Sequence, residues 1–145
     1  MTVRITGEAF DLGAETAGFA ARVRDAGAVV TFTGLVRGDG GLTALEIEHY
    51  PGMTEMAVAA IAEEAVARWS LTDVLVIHRH GRLEAGEAIM MVATAARHRA
   101  EAFQAAEFLM DYLKSRAPFW KKEIGPDGAE WVASKEDDEA ALGRW

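Results

Sequence analysis

The 145-residue chain has no cysteine. Disulfides, thiolate metal sites, a cysteine nucleophile and a persulfide carried on the chain itself are therefore excluded. No apolar run reaches the ~20 residues of a membrane-spanning helix. The opening stretch, MTVRITGEAFDLG, lacks the apolar core of a signal peptide. A cytoplasmic location without membrane attachment is expected. Basic residues are in deficit: 15 Lys and Arg face 23 Asp and Glu, a net charge of −8. That balance argues against a nucleic-acid binder, which needs a basic surface. The three prolines, at 51, 118 and 126, all fall in predicted turns.

What is present points to a folded chain. Half the residues are hydrophobic, and the length suits one domain, residues 1–145, with a real core. There is no internal repeat and no low-complexity linker. Charge is unevenly spread. From Arg97 to Lys122 six Lys and Arg face three acids, whereas from Glu123 to Trp145 two face seven. A local cationic patch on an acidic chain points to a small anionic ligand and not to a polyanion.

The stretch RHRAEAFQAAEFLMDYLKSRAPFWKK, Arg97 to Lys122, organises the rest. Phe103, Ala106, Met110 and Leu113 form one apolar row, and Ala102, Ala105, Leu109 and Tyr112 a second. Together they predict a broad buried helical face. Pro118 should end this helix near Arg116. Lys114 then lies in the last turn, where the helix dipole favours a cation. Arg97, His98 and Arg99 stand at the end where it does not.

Elsewhere, Thr2 to Thr6 alternates as a possible edge strand. Asp11 is a plausible N-cap for a short helix, Ala14 to Asp25, closed by Gly27. Ala28 to Arg37 is β-branched and reads as a central strand, with Gly34 marking a bulge or close approach. Gly38 to Gly41 is a turn, with Leu42 to Tyr50 returning as a strand. Met53 to Trp69 reads as a second long helix. Thr72 to His80 is a strand with Val74, Val76 and His78 on one face, and Gly81 to Gly86 is a turn. Glu87 to Ala96 is a strand buried on both faces. Phe119 to Ile124 and Glu130 to Ala133 form a short strand pair, and Lys135 to Glu139 is a solvated charge run. Strands and helices mix without strict βαβ alternation, so the fold class is α+β with mixed sheets.

The groups able to do chemistry are Arg37, His49, His78, His80, His98, Arg99, Lys114 and Lys121. His49 and His78 lie within strands and read as packed structural histidines. The four histidines show no metal-ligand spacing, so no metal is expected. Ser70, Ser115 and Ser134 have no nucleophile-elbow context. Lys114 and Lys121 flank a helix end and a Pro-Phe-Trp turn that can fold one back beside the other. Two ammonium groups so placed depress each other's pKa, and the walls of Phe119 and Trp120 add desolvation. Such a lysine can act as acid, base or nucleophile. The alternative is that Lys114 complements the dipole and pairs with Asp111, while Lys121 is a solvated loop lysine.

The segments TFTGLVRG, LEIEHYPGMTE, VLVIHRHG, RHRAEAF and FLMDYLKSRAPFWKKE resemble the large, catalytic subunit of molybdopterin synthase. The likeness runs from about Phe10 to Trp145, and MDYLKSRAPFWKKE is its most specific piece. It implies an α/β-hammerhead-type fold with mixed and antiparallel sheets and a small added β subdomain. It implies a homodimer of large subunits within a heterotetramer. Each large subunit would bind a small ubiquitin-like sulfur carrier whose C-terminal Gly-Gly ends in a thiocarboxylate. Two sulfurs would pass from such tails to cyclic pyranopterin monophosphate, giving the molybdopterin dithiolene. The missing cysteine is consistent with sulfur arriving on the partner, and no cofactor is implied.

Carried onto matching positions, Lys114 and Lys121 are the catalytic lysines. Lys121 would transfer protons, and Lys114 would hold the tail carboxyl and intermediates. Arg37, His98 and Arg99 would line the pterin-phosphate pocket. Leu35 and Val36 would add backbone contacts, with Lys122 and Glu123 flanking Lys121. Lys135 takes the place of a basic residue, often arginine, that reaches the neighbouring subunit's pocket. His80 replaces a small apolar residue. Phe108 and Trp145 serve either subunit contacts or ordinary packing. Two rival readings remain: a non-catalytic module binding a pterin phosphate or other anion, and a structural dimer that scaffolds other proteins.

Overall fold

The computed structural model describes residues 1–133 and 136–145. Among the described residues, eight strands and four helices form an α+β fold with two four-stranded sheets. The strands are β1 (Thr2–Thr6), β2 (Ala28–Leu35), β3 (Ala44–His49), β4 (Asp73–Arg79), β5 (Gly81–Glu84), β6 (Ala88–Ala96), β7 (Phe119–Gly125) and β8 (Gly128–Trp131). The helices are α1 (Leu12–Arg22), α2 (Met53–Trp69), α3 (Arg99–Ser115) and α4 (Glu136–Ala141). The first sheet has the order β1-β4-β6-β2 and is mixed, because β1 runs parallel to β4. The second, β5-β3-β7-β8, is antiparallel throughout.

Alternation divides the first sheet into two packed faces. Val74, Val76 and Val92 point towards α2 and α3, in a core with Val58, Ile61, Phe108 and Leu109. Leu75, Ile77, Met91, Ala93 and Ala95 point to the other face, where Phe19 of α1 covers them. β6 is therefore buried on both sides. α3 presents Ala102, Ala105 and Ala106 to the interior. The fully buried Thr94 of β6 donates its hydroxyl to the Ala102 carbonyl at 2.7 Å. Asp11 caps α1 by accepting from the Ala14 N–H at 2.8 Å.

Several expectations change. β2 is an edge strand and not a central one, since among the described residues it pairs only with β6. The bulge expected at Gly34 is present as a register shift between Gly34 and Leu35. β3 does not return beside β2. It enters the second sheet between β5 and β7, and residues 81–84, read as a turn, are the strand on its other side. α1 stops at Arg22, where Val23 turns extended. On α3, Phe103 is 62% exposed and Phe108 is fully buried. Phe108 lies against Trp69, Tyr112 and Trp145 in the core. The apolar stripe is thus rotated towards the alanines, and it omits Phe103.

The two oppositely charged segments of the sequence pair with each other. Arg144 binds Asp111 at 2.8 Å and Glu107 at 2.6 Å. Arg116 binds Glu139 at 3.3 Å. Ser115 donates to the Asp138 carbonyl at 3.2 Å. Asp111 therefore takes Arg144, along with the Trp145 indole N–H at 2.6 Å, and among the described residues it forms no ion pair with Lys114.

Candidate active site

The corner between α3 and β7 carries the site. α3 closes with the Arg116 N–H donating to the Tyr112 carbonyl at 2.7 Å. Pro118, which cannot continue a helix, then redirects the chain. Its carbonyl is held from α2. The fully buried Thr54 donates its hydroxyl to that oxygen at 3.0 Å and accepts from the Tyr50 N–H at 2.8 Å. The corner is thus fixed from outside its own segment.

Lys114, from the last turn of α3, and Lys121, from β7, line one cavity of about 250 Å³. Leu45, Ile89, Met90, Met110, Leu113 and Phe119 form the apolar part of its walls, beside the charged groups. Alternation on β7 points Phe119, Lys121 and Glu123 inward. Lys122 faces the other side, with its Nζ 4.7 Å from the Trp131 ring centroid. Arg37 adds a third cation at the mouth, where it is exposed and 3.9 Å from Asp39. Glu123 and Asp138 bring two carboxylates.

His78 closes the inner wall. It is 5% exposed, and its ring stacks on Phe119 with centroids 3.7 Å apart and planes 14° from parallel. Its Nδ1 lies 2.8 Å from the Arg79 carbonyl oxygen. A carbonyl only accepts, so Nδ1 carries the proton and Nε2 the lone pair. Burial holds the imidazole neutral, aided by the positive charges of Lys121 and Lys114, and its pKa falls to about 3. Next to it, His80 stacks on His49 at 4.0 Å, and His49 lies 3.9 Å from Glu55. Burial, then the His49 charge, also lowers the His80 pKa.

Of the candidate site residues singled out in the sequence, Leu35, Arg37, His78, Lys114, Lys121 and Glu123 share this cavity. The others do not. Val36 is a core residue, 3% exposed. Its N–H donates to Glu87 and its carbonyl accepts from Gly86, so its backbone N–H is not available to a ligand. Lys122 is turned away by the strand pleat. His98 and Arg99 stand at the opposite end of α3, about 22 Å from Lys114 at ~1.5 Å per residue. Within one chain they do not meet the lysines. His98 instead borders a cleft with Arg68, Arg97 and Glu101. Lys135 lies outside the described residues.

Three features escaped the sequence reading. Asp138 was hidden in a charge run, although the opposite charge of the segment before it was a usable signal. Thr54 gave no sign of its bond to Pro118, 64 positions away. The face occupied by His78 was legible from the period of two, but the crossing of β7 beside it was not. Among the described residues, no group of three His, Asp or Glu side chains could hold a metal ion.

A small cavity lined by lysines from two elements, with an arginine at its mouth and apolar side chains between them, is of the class that suits a small anionic ligand, and it has no thiol of its own. The family model of the MoaE protein matches residues 5–116. The chain is 70% identical to the molybdopterin synthase catalytic subunit of Cereibacter sphaeroides, over all of both chains. A MoaE structure from Burkholderia ambifaria superposes with a TM-score of 0.85 at 52% identity, covering 99% of this chain and 97% of that one. The molybdopterin synthase structure from Staphylococcus aureus gives 0.81 at 32% identity, covering 90% and 96%. The chain belongs to the MoaE family.

Proposed function

We propose that this chain is the catalytic subunit of a molybdopterin synthase, a sulfurtransferase of molybdenum cofactor biosynthesis. It acts as one domain, in the cytoplasm, as a homodimer within a heterotetramer. Its partner is a small ubiquitin-like subunit whose C-terminal Gly-Gly carries a thiocarboxylate. Its substrate is cyclic pyranopterin monophosphate, which receives two sulfurs to become the dithiolene. The observation that carries the reading is the sharing of one cavity by Lys114 and Lys121, in a chain 70% identical to a protein of that name.

The chemistry follows from what the cavity holds. An extended Gly-Gly tail has no side chains, so it can reach into a small cavity. Leu45, Met90, Met110 and Phe119 offer an apolar bed for a flat ring. Lys114 holds the tail carboxyl and the acyl intermediates by charge. Lys121 moves protons as sulfur adds to the pterin. Arg37 takes part of the phosphate charge. Glu123 flanks Lys121 on the same face of β7. His98 and Arg99 join phosphate binding only if a second copy in the dimer presents them, and Lys135 is proposed for the neighbouring subunit's pocket.

The test is reconstitution of the chain with thiocarboxylated partner and pterin precursor, followed by assay of the dithiolene product. Lys114→Ala and Lys121→Ala should each lower turnover about 100-fold or more, the usual scale for a lost acid–base group. Affinity for the precursor should fall less than about tenfold. Turnover that survives both substitutions would reduce the chain to a binding module.

A further inference from the structure

The cavity contains one buried titratable side chain that the proposed chemistry does not use, His78. Three observations constrain it. Its Nδ1 proton is committed to the Arg79 carbonyl. Its ring is clamped flat on Phe119. It lines the same cavity as Lys121, which β7 presents two residues beyond Phe119 and on the same face. A neutral imidazole so fixed has one remaining polar function, the Nε2 lone pair, and a buried acceptor needs a donor.

We propose that His78 is a positioning residue for Lys121: its Nε2 accepts a hydrogen bond from the Lys121 ammonium and holds that group at the cavity wall. This rests on the reading of Lys121 as the proton-transfer lysine. The imidazole does not relay protons, because its other nitrogen faces a backbone carbonyl and the path ends there. Its part is to select one rotamer of a long side chain and to stabilise the protonated amine. The stabilisation matters because the neighbouring cations Lys114 and Arg37 oppose that protonation, while the carboxylates Glu123 and Asp138 favour it. His80 adds a weaker repulsion on His78, and itself stacks on His49, which lies 3.9 Å from Glu55. A cationic imidazole in this place would repel the lysine, so its neutrality is required.

The inference predicts a direction that holds whether Lys121 serves as acid or base. Removing the acceptor makes the ammonium easier to deprotonate, so the Lys121 titration moves to lower pH. The experiment follows the Lys121 Nζ resonance by 15N NMR in the intact protein, with no substrate present. In His78→Leu its midpoint should fall by about half a unit or more, a threefold change in the proton equilibrium. The limb of the kcat–pH profile governed by Lys121 should fall with it. His78→Gln, which keeps an acceptor, should recover part of the shift. Should His78→Leu not fold, Lys121→Met tests the same bond from its exposed end: the His78 Nε2 resonance should move towards that of a bare imine nitrogen. An unmoved Lys121 midpoint in folded His78→Leu, or an unmoved Nε2 resonance in Lys121→Met, overturns the proposal. Neither readout depends on turnover. A Lys121→Ala protein with full activity would refute the catalytic reading and leave the hydrogen bond standing.

Discussion

Mild acid should weaken this fold, chiefly through one residue. His78 is buried neutral, with its pKa lowered by burial and by Lys121 and Lys114 to about 3 from an ordinary 6.5. In the unfolded chain it takes up a proton as pH falls through about 6.5, but in the folded chain it does not until about pH 3. Between those values the unfolded state binds one more proton. Folding stability therefore falls as pH falls, by about 1.4 kcal/mol per unit at the steepest. From pH 7 to 4.5 the loss from this one group is about 2.5 kcal/mol, a sizeable part of the 5–15 kcal/mol typical of a domain. The sign is that of a base whose folded pKa is depressed: stability is complete above the unfolded pKa and drains away below it.

Other groups bound the useful window. His80, also lowered by burial, contributes in the same direction. Asp73 and Glu87 have lowered pKa values too. Their contributions are held above the ordinary carboxylate range and lost below it, which is why the comparison stops at pH 4.5. The assay is urea unfolding at fixed protein concentration, at pH 7, 5.5 and 4.5, for the wild type and for His78→Gln. The difference between the two proteins cancels His80 and the carboxylates. The wild type should lose about 2.5 kcal/mol more than the variant across that range, a difference of about 1 M in urea midpoint. Parallel losses in the two proteins would refute the reasoning, because His78 would then already be charged, or charge freely, in the folded state.

Other perturbations test the scaffold around the site. Thr54→Val removes the donor to the Pro118 carbonyl and strands the Tyr50 N–H, so urea unfolding should show a loss of about 1–3 kcal/mol. Turnover should fall with precursor affinity little changed, and Thr54→Ser should restore both. Gly27→Ala places a Cβ 2.4 Å from the Arg97 carbonyl oxygen, a backbone atom that cannot step aside without moving the start of α3. Thermal unfolding should shift down by several degrees, whereas Gly18→Ala, with open space around it, should not fall. Phe108→Ala empties a fully buried site against Trp69 and Trp145, at a cost of about 3–5 kcal/mol. Phe103→Ala, on the exposed side of the same helix, should cost under about 1 kcal/mol in the isolated chain. Arg99→Glu should raise KM for the pterin phosphate at least tenfold in the assembled enzyme and leave urea unfolding unchanged.

The sequence was most legible where a period and a stop signal agreed. Met53 to Trp69 was bounded to the residue, and α3 was placed within two residues at each end, because Pro118 and the apolar rows left little freedom. The faces of β4 and β6 were also legible, since a period of two assigns every side chain to a side. Strand partners were not. β3 follows β2 after a glycine-rich turn, and local pattern favours a hairpin. Yet the β3 partners lie at residues 81–84 and 119–124, and only the tertiary core selects them. Phe103 and Phe108 illustrate the same limit on a helix. Both fit a broad apolar stripe, and the choice between them was made by Trp69 and Trp145, which come from distant parts of the chain. The cavity inherits this division. Its lysines were visible as a pair flanking a helix break, whereas its walls come from β3, β6 and α4 and could not be assembled without the topology.

On the proposed reading, charge makes one chain an incomplete site. Arg37, Lys114 and Lys121 face Glu123 and Asp138 in the cavity, an excess of at most one positive charge, since Arg37 also lies 3.9 Å from Asp39. A thiocarboxylate tail carries one negative charge and cancels it. The pterin phosphate then has to enter a cavity that is neutral and apolar-walled, where an uncompensated anion is costly. Further cations must therefore come from outside this set. The groups free to supply them are at the start of α3: Arg97, His98 and Arg99 stand where the helix dipole opposes them and are not placed there for stability. About 22 Å of helix keeps them from their own chain's lysines, but no such limit applies to a second copy. On this view the phosphate site exists only in the dimer. Mixing Arg99→Glu protein with Lys121→Ala protein should then restore part of the activity, because half the mixed dimers' cavities receive an intact Arg99 beside an intact Lys121. If the mixture is no more active than either variant alone, Arg99 does not act across the dimer.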